Sequence, residues 1–369
     1  EEVNHLHIFG KTVTWENDHS GSVGQMPLDG LQKALDTLVD IMGDSPSAQE
    51  LTELFKAALE GKTKYSEVAF DLTHRLLGEY DLVILDPSQP DLKASFAPFI
   101  QKEIFEQPSK SLVEGTVKEL EAAGFSEQAY PREINFFYLG EGFRERIVQE
   151  GGTFKVLNQD VTWTEDELKA EIEANPQRFS PNVVMRPIYQ EHILPNLAYI
   201  GGGGEIAYWL ERKKQFEAFD LNFPMLVRRN SVLFVDKGTR KRLEKLDLQV
   251  EDLFGDIEAL IKEYVRENTE NEISLSEEKK ALAQVFKQVE AKAQEVDPTL
   301  RKAAAAEGAR QLNSLNQLEG KLMRAEKQRH DTAVNQIRTL KDKLFPNNGF
   351  QDRYDNFTMY YLKYGRGFF

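Results

Sequence analysis

The sequence predicts an α/β chain in which a parallel-sheet core with inserted helical segments precedes a C-terminal antiparallel coiled-coil arm. Three observations predict it. Short apolar runs closed by turn residues, "LVILDPSQPD" at 82–91 and "LAYIGGGG" at 197–204, have the form of buried strands. Stretches with helical apolar spacing alternate with them, as a parallel sheet requires. After Phe254 glycine becomes scarce, Glu, Lys, Gln and Ala dominate, and apolar residues fall at heptad spacing.

Taken in order, Val3, Leu6 and Ile8 read as the end of a strand or the loop beyond it, and residues 11–28 are polar and turn-rich. Leu31, Leu35 and Leu38, then Leu51, Leu54, Phe55 and Ala58, then Val68, Leu72 and Leu76 mark three helices, broken at "GDSPS" and "GKTKY". Leu82–Leu85 reads as a buried parallel strand closed by Asp86 and Pro87, with two helices following near Leu92–Glu106 and Lys110–Ala123. Residues 132–163 read as β-structure, and Thr164 with Glu167 opens a helix as a capping box. From Ser180 to Phe216 the pattern is strand, short helix, strand, glycine turn, helix, with Arg186 at the end of the Val183–Met185 run and Pro187 stopping it. "FPMLVRRNSVLFVD" reads as a strand pair.

In the arm, Leu282, Val285, Val289 and Val296 form one seam, and Leu315, Leu318, Leu322 and Ala325 another. Ala333, Ile337, Leu340 and Leu344 continue it after an interruption near Arg329–Thr332. "VDPTL" turns the hairpin, with Asp297 as cap and Pro298 opening the second helix. The domains expected are therefore a core over 1–255, an arm over 256–345, and an aromatic tail over 346–369 that docks on the core.

Composition bounds the function. The chain has 369 residues, 40% hydrophobic and 29% charged, with a net charge of −15 and no cysteine. That length fits about two domains. The acidic balance argues against nucleic acid and against an anionic membrane surface. No apolar run is long enough to cross a bilayer. Absence of cysteine suits a cytoplasmic setting and excludes thiolate chemistry. The sequence lacks an initiator Met and the pattern of a signal peptide, and the first strand reads as the inside of a domain whose upstream residues are missing.

Candidate site residues lie where strands end. Gly201, Gly202, Gly203, Gly204 and Glu205 join an apolar strand to a helix, and bare amides at a helix N-terminus suit an anion. A tight packing turn is an equal alternative. The run is neither a P-loop nor a G-x-G-x-x-G fingerprint. Arg186 can grip a carboxylate or phosphate with its planar fork, or serve a structural ion pair. Asp86 and Ser88 end their strand in the same way, with a helix cap as the stronger reading. Asn182 and Gln190 flank Arg186. Arg228 and Arg229 point to opposite faces if extended, so one can meet the site. His5 and His7 share a strand face, but only Glu1 and Glu2 stand near as carboxylates, so no metal site is expected.

The segments "EEVNHLHI", "LVILDPSQPDLK", "RFSPNVVMRPIYQEHILPNLAYIGGGGEIAYWLE", "FPMLVRRNSVLFVD" and "DNFTMYYLKYG" resemble the bacillithiol biosynthesis cysteine-adding enzymes, a cysteine ligase family. The resemblance runs through the whole chain and is most specific over Arg186–Trp209. It implies a Rossmann-like core related to nucleotidyl-transferring synthetases, inserted connecting segments, and a coiled coil that supports a homodimer. It implies joining of cysteine to the amine of glucosaminyl-malate, the last step to bacillithiol. Asn4 and His5 enter the candidate site through this resemblance. ATP as activator follows from the synthetase-like core, with no ATP motif in the sequence. Family members carry a further stretch ahead of "EEVNH", so the expected core is one whose first half lies outside this sequence. A synthetase-like nucleotidyl-transferring enzyme, and a catalytically incomplete scaffold with a coiled-coil arm, remain the alternatives.

Overall fold

The structure, a computed structural model, describes residues 4–19, 21–269 and 273–369. Val3 of the expected first strand, and Glu1 and Glu2, lie outside the described residues. The chain forms two compact units. One runs to Asn230 and includes Asp355–Phe369; the other is Ser231–Tyr354. The division thus falls earlier than the change of composition after Phe254.

The first unit opens with an antiparallel hairpin, β1 (His5–Ile8) and β2 (Lys11–Thr14). Helices α1 (Leu31–Met42), α2 (Pro46–Leu59) and α3 (Tyr65–Leu77) follow, as the spacing predicts. The Ser45 hydroxyl accepts the Ala48 amide and Pro46 occupies the first turn, which sets the start of α2. Leu38, Leu51 and Trp15 pack with Ile8 in one core. Then come three helices where the sequence suggests two: α4 (Pro90–Ser95), α5 (Ala97–Glu106) and α6 (Pro108–Ala122). Prolines at the head of each explain the division.

Leu82–Leu85 departs from expectation. It forms no strand, and Val83 is 86% exposed. An apolar run becomes a strand only beside a ladder partner, and among the described residues none runs alongside it.

Strands β3 (Phe136–Gly140), β4 (Phe143–Glu150), β5 (Thr153–Val156) and β6 (Thr162–Trp163) form a sheet that β7 (Phe179–Pro181) completes in the order β6-β5-β4-β3-β7. Every pairing in it is antiparallel, unlike the parallel sheet that alternation of strands and helices suggests. The cause is local. The β4–β5 connection is Gly151-Gly152, both at positive φ, the geometry of a tight hairpin turn. A parallel pair needs a crossover of a dozen or so residues.

Helix α7 (Glu165–Ala174) starts at the predicted capping box: Thr164 Oγ1 accepts the Glu167 amide, and Glu167 accepts the Thr164 amide at 2.8 Å. Then follow α8 (Arg186–Ile193), β8 (Ala198–Gly201), α9 (Gly203–Leu210), α10 (Lys213–Ala218) and β9 (Met225–Arg228). β8 and β9 are the parallel pair of the described chain. Val183–Met185 is not a strand. The Asn182 carboxamide accepts the amides of Val184 and Met185 and turns the chain into α8. Only β9 forms of the strand pair expected over 223–236.

The second unit holds α11 (Lys237–Lys245), α12 (Ile257–Asn268), α13 (Ser276–Val296), α14 (Leu300–Arg329) and α15 (Asp331–Leu344). α13 and α14 form the expected hairpin, and the break before α15 falls at His330, inside the predicted interruption. Asp297 caps the turn by accepting the Thr299 amide at 2.8 Å. Ile261, Val265, Met323, Ile337, Leu340 and Leu344 make this unit's core. The last helix, α16 (Thr358–Tyr364), belongs to the first unit. There Tyr361 is buried, and Arg366 reaches Glu50 and Glu79, each at 3.2 Å.

The larger core of the first unit packs Phe96, Ile100, Phe136, Phe154, Phe179 and Trp209. Glu103 lies within it. Its carboxylate accepts from Asn135 Nδ2 at 2.6 Å and from Ser109 Oγ at 2.5 Å. Burial still pushes it up to about 7 from an ordinary 4.5. Between those values the folded chain keeps a proton that the unfolded chain has lost. Stability therefore falls as pH rises across that interval and levels off above it. Urea unfolding at about pH 5 and about pH 8 should show this loss, on the order of 2–3 kcal/mol. Glu103→Gln should flatten that part of the profile, and an unchanged slope in the variant overturns the assignment.

Candidate functional site

Parallel strands share one C-terminal end, and in open α/β sheets that end is where ligands sit. β8 and β9 end together, with Gly201 opposite Arg228. Gly202 then stands at the N-cap of α9.

None of Gly201–Gly204 has the left-handed backbone that would demand glycine. Two different reasons for glycine remain. A Cβ on Gly201 would stand 2.7 Å from the Tyr199 ring, and one on Gly202 would stand 3.1 Å from Arg229 Nη2. Those two positions are closed by neighbours. A Cβ on Gly203 or Gly204 meets nothing within 4 Å, and both residues are exposed. Packing asks for no glycine there. The amides of Gly203, Gly204 and Glu205 are the first three of the helix and have no carbonyl partner within it. Bare backbone and open space coincide at an electropositive helix end.

Arg186 stands beside this turn. It opens α8, donates from Nη1 to Gln190 Oε1 at 3.0 Å, and donates from Nη2 to the Tyr208 hydroxyl. Its Nη2 lies 3.9 Å from Glu205 Oε1. Glu205 also accepts from the Tyr199 hydroxyl at 3.1 Å and from the Gly202 amide at 2.9 Å. Burial opposes ionisation of Glu205. The Gly202 amide, the Tyr199 hydroxyl and the nearby Arg186 and Arg229 outweigh it and hold the carboxyl below its ordinary value. The turn is thus already folded around one carboxylate. An anion arriving over Gly203 and Gly204 competes with Glu205 for Arg186 and Arg229, and meets three free amides besides.

The other candidates fall elsewhere. Gln190 belongs to the cluster through Arg186. Asn182 acts one step back, holding the turn of Val184 and Met185 that leads into α8. Asp86 closes its own turn: Oδ1 accepts from the Ser88 amide at 2.8 Å and from the Ser88 hydroxyl at 2.7 Å. That loop reaches α8 through the Tyr189 hydroxyl, which donates to the Pro87 carbonyl at 2.6 Å. Among the described residues no hydrogen bond or ion pair joins Asp86 or Ser88 to the Arg186 cluster. Asn4 and His5 instead line a cavity of about 400 Å³ together with Trp15, Leu38, Phe55 and Leu72. Arg228 is exposed in the β9 ladder; Arg229 is the guanidinium beside the turn.

Two participants escaped the sequence reading, and so did a buried lysine that stands apart from them. Tyr199 and Tyr208 are indistinguishable from core aromatics by spacing, and Tyr199 does stack on Trp209 at 3.9 Å. Lys93 follows the Asp86 loop on α4 and is buried, donating to the Phe179 carbonyl at 3.1 Å and lying 4.4 Å over the Tyr189 ring. Burial, with Arg144 adding to it, lowers Lys93 to about 8. Its lone position in "PDLKASF" carried no signal.

The two kinds of glycine separate experimentally. Gly203→Val should leave the melting temperature near that of the parent, a change within about 0.5 kcal/mol. Gly201→Val should destabilise by roughly 1–3 kcal/mol, because Tyr199 cannot yield without leaving Trp209. Thermal unfolding reads both, and equal losses would mean that the whole run is a packing device.

Comparison with known proteins accounts for both units. A family model described as "Bacillithiol biosynthesis BshC, N-terminal Rossmann-like domain" matches residues 1–230. A second, "Bacillithiol biosynthesis BshC, C-terminal coiled-coil domain", matches residues 232–369. A protein of Flavobacterium johnsoniae named for a cysteine ligase, BshC, is 36% identical over 365 residues, covering 99% of this chain and 69% of that protein. Its counterpart in Flavobacterium psychrophilum is 37% identical, over 99% of this chain and 68% of that protein. The one in Bacillus cytotoxicus is 25% identical, over 100% and 71%. With a Rossmann-like domain followed by a coiled-coil domain, the chain belongs to the bacillithiol biosynthesis BshC family.

Proposed function

We propose that this protein is a cytoplasmic cysteine ligase that forms an amide between the cysteine carboxylate and the amine of glucosaminyl-malate, the last step to bacillithiol. The observation that carries this reading is the Arg186–Glu205 cluster beside the free amides of α9, at the shared end of two parallel strands. The relatives' naming as cysteine ligases supports it. Both substrates carry carboxylates, which suit a planar guanidinium fork and a ring of backbone donors.

Amide formation from a free carboxylate requires a leaving group in place of one oxygen. ATP is the proposed co-substrate, and phosphoryl or adenylyl transfer from it would supply that group. The residues present fit such an anion: three unpaired helix amides, with Arg186 and Arg229 beside them. In this reading they hold the carboxylate and donate to oxygen charge as the amine adds to the carbonyl carbon. Glu205 keeps Arg186 in place until the substrate carboxylate displaces it.

Incubating the protein with cysteine, glucosaminyl-malate and ATP should yield bacillithiol by mass spectrometry, and omission of ATP should abolish the product. Arg186→Lys retains the charge and loses the fork, so substrate affinity should fall roughly tenfold with little change in melting temperature. Folded protein that makes no product with any nucleotide overturns the ligase reading. Unchanged affinity in Arg186→Lys removes that residue from the site.

The coiled coil is proposed to pair two copies. Within one chain the hairpin closes through Phe286, whose ring packs against Gly308. Of the heptad positions on α13, Val285, Val289 and Val296 are left exposed, as is Leu318 on α14. A second copy covers this stripe in the proposed homodimer. Val285→Lys with Val289→Lys should halve the mass seen in sedimentation, and a retained dimer would place the interface elsewhere.

A further inference from the structure

A second anion site is suggested by a cavity that the reading above does not use. It measures about 200 Å³ and is lined by Gln107, Arg132, Glu133, Arg146, Ile147 and Gln149. One wall is β4. Another is the segment leading into β3, and Gln107 comes from the junction of α5 and α6, where its φ is 51°. We propose that this cavity binds a small phosphate-class anion between Arg132 and Arg146.

The charges make the case. Arg144 and Arg146 lie two residues apart on β4. Arg144 is committed: its guanidinium stacks 3.8 Å over Phe137 and donates to Ser180 Oγ at 3.2 Å. Arg146 is only half exposed, yet its guanidinium has no hydrogen bond or ion pair among the described residues, and neither has that of Arg132. A guanidinium partly withdrawn from water seeks an acceptor. The one acid in the lining, Glu133, is held by Lys110 at 2.7 Å. Two arginines and one carboxylate thus line the cavity, and that carboxylate is already paired with Lys110 outside it, in a chain whose net charge is −15. At the rim Gln107 donates to Gln149 Oε1 at 2.9 Å, which leaves the Gln149 amide nitrogen as a further donor.

Size limits the ligand. A cavity of about 200 Å³ has room for phosphate or diphosphate. Two planar forks match paired phosphate oxygens better than they match a single carboxylate. The site also has a mechanical link to the fold. The amide and carbonyl of Arg132 are both held by the Asn135 carboxamide, at 3.0 and 2.8 Å. That carboxamide also accepts from Asn182 at 2.9 Å. An anion on Arg132 therefore secures the loop that holds, through Asn135 and Asn182, the turn leading into α8.

Titration calorimetry of the full chain with inorganic phosphate and with pyrophosphate, at ionic strength fixed with chloride, tests this. Saturable binding is expected, lost at least about tenfold in Arg132→Gln with Arg146→Gln. Arg132→Gln alone, at an exposed position, should keep the parent melting temperature and still weaken binding. Glu133→Gln should tighten binding roughly twofold to fivefold, because it removes the opposing charge and releases Lys110. Arg186→Lys should leave this binding in place. No saturable binding of either anion, or equal affinity in the double variant, overturns the site. So does loss of binding in Arg186→Lys alone, which would put the anion at the glycine turn.

Discussion

The Asn135 carboxamide is the joint on which the first unit's geometry depends. It is fully buried, and each side of it serves two partners. Its nitrogen donates to Glu103 on α5 and to the Arg132 carbonyl; its oxygen accepts from the Arg132 amide and from Asn182. The antiparallel sheet, the α5 helix and the start of α8 are thereby fixed to one planar group. Asn182 spends its own oxygen on the amides of Val184 and Met185, in the turn that leads into α8, and Arg186 is the first residue of that helix. The direction of Arg186 thus traces back through two carboxamides to the buried core. A buried polar network is favourable only when its members are satisfied. That is why loss of either Asn would affect the site more than its distance from the glycines suggests.

Glu103 shows what such a network costs and what it returns. Its carboxyl is held by two hydrogen bonds and is still pushed up, because desolvation exceeds their effect. A hydrocarbon there would relieve that penalty and take one hydrogen bond each from Asn135 and Ser109, which keep Arg132, Asn182 and Gln215 as partners. Nearby, Trp209 Nε1, Arg212 Nε and Gln215 Oε1 have no partner among the described residues. These groups lie on α9, on α10 and at Arg212 between them, the segment that continues from the glycine turn. Specificity of arrangement, rather than maximal stability, is what this core encodes.

Much of this was legible in the sequence, and what was legible had a local cause. The three helices over 31–77, the Thr164 capping box, the Asp297 turn and the break near His330 follow from spacing and cap chemistry within a few residues. The joint of a strand, glycine turn and helix at 197–210 was legible for the same reason. What failed needed a partner distant in sequence. Leu82–Leu85 has the composition of a buried strand, but composition does not supply a ladder. Val183–Met185 looks extended until Asn182, held by Asn135, turns it into α8. The heptad positions are real, yet within one chain the hairpin uses Phe286 and Gly308 and leaves Val285 and Val289 outside. A heptad pattern records that a stripe is apolar and says nothing of which helix covers it.

The glycine run joins these two levels. Its local pattern left two readings open, a packing turn or a bare anion site, and the four glycines differ in what surrounds them. Gly201 and Gly202 are closed by Tyr199 and Arg229, while Gly203 and Gly204 face open space. Neither pair is glycine for the sake of backbone freedom, since none takes a left-handed conformation. The close-packed half holds the turn against the stacked Tyr199–Trp209 pair, and that rigidity gives the bare half a fixed direction. Glu205 completes the arrangement by occupying the Gly202 amide and Arg186 when no other anion is there. The turn is therefore preorganised around an internal carboxylate, and in the proposed reading a substrate exchanges one carboxylate for another.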